Sequence, residues 1–210
     1  MSRHLGLTVV AAALVVACAD TQTETPPSEP DSAEGVFGVA APAVGGIPSV
    51  ITLTPVTPTQ NNERAIREVD VMDQFGLAFS PRELFVPVGR PVPFTNSEAA
   101  LAHNVHIRSM DRGSDVFNDD ANSGETLNFE FPEEGGYDVS CDTHPGMTAF
   151  VFATDAPYFV FADQGGGFSL TGVPEGEYTL RVWNPNVERR SEQRVIVGTG
   201  PTEVPRATSR

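Results

Sequence analysis

Lysine is missing from this 210-residue chain, so arginine alone supplies its 13 basic side chains against 28 acidic ones. The formal net charge is −15. A surface this acidic has no electrostatic footprint for nucleic acid. Anionic lipid repels it too, so membrane attachment needs another cause, and a basic protein partner is its natural complement. Cysteine occurs twice, at Cys18 and Cys141, which allows one disulfide at most. The one long apolar run, from Leu5 to Val16, is too short to span a bilayer. Sustained helical periodicity with caps is absent, although residues 61–66 could make a short turn.

The N-terminus supplies the other cause. Arg3, the apolar run and Ala17-Cys18 have the layout of a signal peptide over residues 1–17. Val15-Val16-Ala17-Cys18 resembles a bacterial lipobox, which implies that Cys18 becomes the acylated first residue of the mature protein. The expected location is the bacterial cell envelope, lipid-anchored and either periplasmic or at the cell surface. That lipid is the only membrane contact expected. Residues 18–46 contain Thr25-Pro26-Pro27-Ser28-Glu29-Pro30 and little to bury, and read as a disordered tether.

The remainder reads as all-β. Polar and apolar residues alternate in Glu68-Val69-Asp70-Val71, in Thr126 to Phe131 and in Tyr178 to Trp183. Turns rich in Gly, Asp and Asn separate such runs, notably Arg112-Gly113-Ser114 and residues 119–124. With 40% hydrophobic residues, the chain can bury one substantial core and a small annex. Two sheets facing each other across that core are expected.

The most informative segment is Cys141-Asp142-Thr143-His144-Pro145-Gly146-Met147, with Ala102-His103-Asn104-Val105 upstream. One Cys, two His and a weakly binding axial Met form the ligand set of a blue-copper electron-transfer site. The two segments also resemble the cupredoxins, the plastocyanin and amicyanin family. Leu84 to Gly89 and Val92 to Asn96 match the strands before the first ligand, and Gly136 to Ser140 lead into the ligand loop. The gap between His144 and Met147 is more like amicyanin than plastocyanin.

The resemblance covers residues 66–154 and implies a cupredoxin Greek-key β-sandwich, placed at residues 47–155. It implies one copper ion held by His103, Cys141 and His144 with Met147 as a long axial ligand, and Cys141 as the thiolate. His103 and His106 share one strand-like segment, and a strand alternates its faces, so both cannot serve one ion. The family's His-Asn-hydrophobic pattern favours His103 and leaves His106 packed or partly exposed. Asn104 then has the supporting role of tying the two ligand-bearing segments together, at Asp142 or Thr143.

The function this implies is one-electron carriage by a mononuclear type 1 copper site, with a basic redox protein such as a c-type cytochrome as partner and a monomer as the carrier. The alternative is a periplasmic copper-binding protein that stores or delivers copper. An enzyme is not expected: beyond the signal segment only His103, His106 and His144 remain, too few for further copper centres. A binuclear centre would need a second loop Cys.

Beyond Asp155 the pattern changes. Gly167-Phe168-Ser169-Leu170 through Val173-Pro174-Glu175-Gly176-Glu177-Tyr178-Thr179-Leu180 resembles a carboxypeptidase regulatory-like β module. Too few residues remain for a full module, so residues 156–198 are expected as an added C-terminal β-hairpin, with Trp183 filling its junction with the sandwich. Residues 199–210 read as a disordered tail.

Overall fold

The structure is a computed structural model that describes residues 35–57 and 68–205. The signal segment, Cys18, residues 19–34 of the expected tether, the turn at residues 61–66 and residues 206–210 lie outside the described residues.

In chain order the strands are β1 (Val36–Val39), β2 (Val50–Pro55), β3 (Met72–Gln74), β4 (Phe79–Ser80), β5 (Glu83–Val86), β6 (Pro91–Asn96), β7 (His103–Ser109) and β8 (Ser114–Ala121). They continue with β9 (Thr126–Glu130), β10 (Gly135–Ser140), β11 (Thr148–Ala153), β12 (Tyr158–Phe161), β13 (Gly167–Leu170), β14 (Gly176–Trp183), β15 (Ser191–Val197) and β16 (Thr202–Val204). A single 3-10 turn, Val187–Arg189, is the only helical element among the described residues. The expected all-β class is what the chain adopts.

Two sheets enclose the first core. A five-stranded sheet runs β5-β11-β10-β7-β8, and a facing sheet runs β4-β3-β6-β9. Alternation explains the packing: Val105 and Ile107 of β7, Val92 and Phe94 of β6 and Val139 of β10 all point into one cluster with Phe131, Tyr137 and Met147. The alternation at residues 68–71 does not become a strand. Pairing begins at Met72, which lies beside Phe94 in parallel register, and Val71 is exposed.

Strand pairing divides the chain elsewhere than at residues 47, 156 and 198. β2 was expected inside the metal-bearing sandwich, but it pairs antiparallel with both β12 and β14, giving a four-stranded sheet β12-β2-β14-β15. Residues 36–39 were expected in the tether, yet β1 pairs with β13 and β16 in a three-stranded outer sheet. β16 likewise lies within the expected tail. The hairpin β14–β15 exists, but as part of a second sandwich with its own core, including Ile51, Leu53, Leu170, Tyr178, Leu180 and Val197. The physical reason is burial. A lone hairpin would expose the apolar face of β14, and β2 covers one of its edges while β1 and β13 cover that face.

The two sandwiches join through strands that are apolar on both faces. On β11, Ala149, Val151 and Ala153 enter the first core, while Phe150 and Phe152 enter a third cluster with Val50 and Trp183. Trp183 stacks on Phe150 at 5.4 Å between centroids and meets Phe152 edge-on at 5.5 Å. Its indole N–H donates to Asp111 Oδ1 at 3.0 Å, and Arg190 lies over the ring while pairing with Asp111 at 2.6 Å. Gly136 makes this contact possible: a Cβ there would stand 2.2 Å from the indole. Trp183 thus fills the junction, as expected from the sequence.

Candidate metal centre

The site lies at one end of the first core. His103 opens β7 and shares the inward face of Val105 and Ile107, so strand alternation alone aims its imidazole between the sheets. Cys141 follows the last residue of β10 and is 4% exposed; His103 is 1% exposed. The loop from Cys141 to Met147 is closed by two backbone bonds, Cys141 N–H to Met147 O at 3.1 Å and Met147 N–H to His144 O at 3.2 Å. Gly146 takes φ +101°, a conformation other residues rarely adopt. That turn returns the chain to β11 and buries Met147 beside Cys141 in the core.

The loop brings three donors together. The Nδ1 atoms of His103 and His144 stand 3.0 Å apart, and Cys141 Sγ is 3.8 Å from His144 Nδ1. All three donor atoms lie within 4.8 Å of one another, with His144 only half-buried. Burial, and then the neighbouring His144, hold the His103 imidazole below its usual pKa. A neutral imidazole is the form that binds a soft transition metal, and a thiol gives up its proton when it does so, so the donor set fits copper. Met147 is buried in the same core as Cys141.

Asn104 ties the ligand loop to β7. Its Oδ1 accepts from the Asp142 backbone N–H at 2.7 Å, and its Nδ2 donates to Asn118 Oδ1 at 2.8 Å and Asp142 Oδ2 at 3.2 Å. His106 faces the opposite side of β7 from His103, apart from the three donors, and meets Asp142 Oδ1 at 2.9 Å.

Two contributors escaped the sequence reading. Asn96 is wholly buried; its Nδ2 donates to Leu101 O at 2.9 Å and Ala121 O at 2.8 Å, and its Oδ1 accepts from Glu98 N–H at 3.0 Å. It thereby shapes the loop that delivers His103. The signal was available, since Asn96 occupies an inward position after Val92 and Phe94, where an apolar residue belongs. Asn118 could not be found this way, because its bond to Asp142 spans 24 residues, from β8 to the ligand loop.

The family model for copper binding proteins, plastocyanin/azurin family, matches residues 67–153. Those residues form the sandwich that carries the site, and copper is the cofactor that both this match and the His/Cys/His donor set point to. Among solved structures, a Cu(I) methionine-to-alanine mutant of amicyanin is 23% identical (TM-score 0.37), with 49% of this chain and 99% of that chain covered. A reduced proline-to-glycine mutant of amicyanin at pH 4 is 27% identical (TM-score 0.37), covering 50% and 98%. A purple cupredoxin from Nitrosopumilus maritimus is 22% identical (TM-score 0.33), covering 58% and 100%. No curated protein matches the chain.

Proposed function

We propose that this protein is a one-electron carrier whose copper is a mononuclear type 1 site held by His103, Cys141 and His144, with Met147 as the weak axial donor. The observation that carries this reading is the convergence of two imidazole nitrogens and one thiol sulfur within 4.8 Å at the end of a packed core. Copper bound to such a set exchanges one electron between Cu(II) and Cu(I), with soft and borderline donors serving both states. The chain's part is to hold the donors still. β7 and β10 are hydrogen-bonded neighbours, and Asn96 and Asn104 fix the two loops, so little can rearrange when the charge changes.

His144 supplies the only partly exposed edge of the donor set. Leu101, Pro145 and Gly146 are exposed nearby in sequence to the ligands, and the backbone of Gly76 donates to Glu98 Oε2 at 2.5 Å, bringing the exposed Phe75 and Leu77 beside the same loop. An apolar rim on a strongly acidic protein suits brief contact with a basic redox partner such as a c-type cytochrome. We read the carrier as a monomer held in the bacterial cell envelope by a lipid on Cys18. The second sandwich serves as a carboxypeptidase regulatory-like structural module.

Voltammetry of the copper-loaded chain tests the function. A carrier shows a reversible one-electron wave, and Met147→Leu raises its potential because a thioether that favours Cu(II) is lost. An irreversible wave, with Cu(I) passing readily to an acceptor protein, would favour storage or delivery of copper instead.

A further inference from the structure

The outer face of β7, β8 and β10 carries a polar cluster beside the ligand loop. His106, with Arg108 on the same strand, faces Asp115 and Asn118 of β8, Asp138 of β10 and Asp142 of the loop. Asp142 lies between Cys141 and His144. Its carboxylate accepts from Asn118 Nδ2 at 2.9 Å, from Asn104 Nδ2 at 3.2 Å and from His106 Nδ1 at 2.9 Å. The other nitrogen of His106, Nε2, makes no hydrogen bond but lies 3.2 Å from Asp115 Oδ1, within ion-pair distance. The imidazole therefore bridges the loop to the edge strand β8, with a carboxylate at each end.

We propose that His106 is a positioning residue of the metal centre: its imidazolium latches Asp142, and with it the Cys141–His144 segment, to β8. The inference rests on the proposed function only for the ligand roles of Cys141 and His144. A neutral imidazole has a single N–H. It can donate to Asp142 or to Asp115, and the carboxylate left over then faces a nitrogen lone pair. Only the doubly protonated ring closes both contacts.

The electrostatics support this. The bond to Asp142 first, and then the close Asp115 carboxylate, hold the His106 pKa above its usual value against the opposing effect of burial. A raised histidine stabilises below its ordinary value of about 6.5 and loses that contribution as pH rises through the raised value. The latch is thus closed from the acid side of neutrality up to the His106 pKa and loosens beyond it. Asp138, pushed up mainly by burial, and Arg108 complete the charges on this face.

The test is an NMR pH titration of the full chain, both metal-free and loaded with Cu(I). The His106 ring is expected to titrate above about 6.5, and the backbone amides of Asp142 and Thr143 should move with the same midpoint in both forms. His106→Gln keeps one donor and removes the titration, so those amides should stay flat across the range. His106→Ala should lower Cu(I) affinity about tenfold at about pH 6, the low end for partners of metal ligands. That deficit should shrink above the wild-type midpoint. Loop amides that ignore the ring in the wild-type chain would overturn the latch, and this measurement needs no variant to fold. Equal Cu(I) affinity of His106→Ala and wild type on the acid side would overturn it as well. Failure of the chain to take up copper would instead defeat the functional reading, and the metal-free titration would still decide the latch.

Discussion

The two sandwiches use one corner twice and put it to different ends. In the first, Phe131-Pro132-Glu133-Glu134-Gly135-Gly136-Tyr137 turns into β10, and the Tyr137 hydroxyl donates to Glu133 O at 2.9 Å. In the second, Val173-Pro174-Glu175-Gly176-Glu177-Tyr178 turns into β14, and the Tyr178 hydroxyl donates to Pro174 O at 2.9 Å. Each bond reaches back four residues, the geometry of a tyrosine corner. Burial raises the pKa of both phenols. After the first corner the strand runs out to Cys141 and the ligand loop. After the second it runs to Trp183, which is spent on holding the sandwiches together. Identical backbone devices thus end in a metal site and in a structural plug, and the residues given to the strand ends decide which.

The sharpest way to break this comparison is to remove each end residue. Cys141→Ser should abolish the thiolate-to-copper absorption entirely while leaving a folded, cooperative protein, because the hydroxyl replaces one small buried group. His103→Ala should likewise lose the site. Trp183→Ala should do the reverse, keeping the colour and lowering stability by about 3–5 kcal/mol, the usual cost of emptying a large aromatic site. Denaturant unfolding and a visible spectrum of each variant separate the two outcomes. A colourless Trp183→Ala chain would show that the second sandwich shapes the metal centre as well as supporting it.

A smaller effect sharpens the comparison. Tyr137→Phe and Tyr178→Phe should each cost about 1 kcal/mol, the net worth of one such hydrogen bond. The double variant should cost their sum, since separate sites without shared partners act independently. Thermal unfolding checks both, and a non-additive result would mean that the junction around Trp183 couples the two corners.

The metal centre was the most legible part of the chain because its chemistry is local. Cys141, His144 and Met147 share one loop, and His103 announces itself by the Asn that follows. The second sandwich was harder. Its core depends on β2 lying between β12 and β14, and on β1 reaching β13 and β16 from the far end of the chain. No local periodicity encodes such pairings. One clue was present in Thr148-Ala149-Phe150-Val151-Phe152-Ala153, which is apolar without alternation. A strand buried on both faces reads this way, and a second layer against β11 follows from it. His106 is partly exposed and apart from the donors, as expected, but its contacts were not legible. Its role depends on Asp142 and Asp115, which strand pairing brings to it from 36 and 9 residues away.

Addition of Cu(II) to the metal-free protein, followed by visible absorption and electron paramagnetic resonance, tests the central claim most directly. A type 1 site predicts one copper per chain, an intense charge-transfer band from the Cys141 thiolate and the narrow copper hyperfine splitting of a highly covalent Cu–S bond. A pale complex with the wide splitting of an ordinary tetragonal Cu(II) site, or uptake of more than one ion at this cluster, would contradict it.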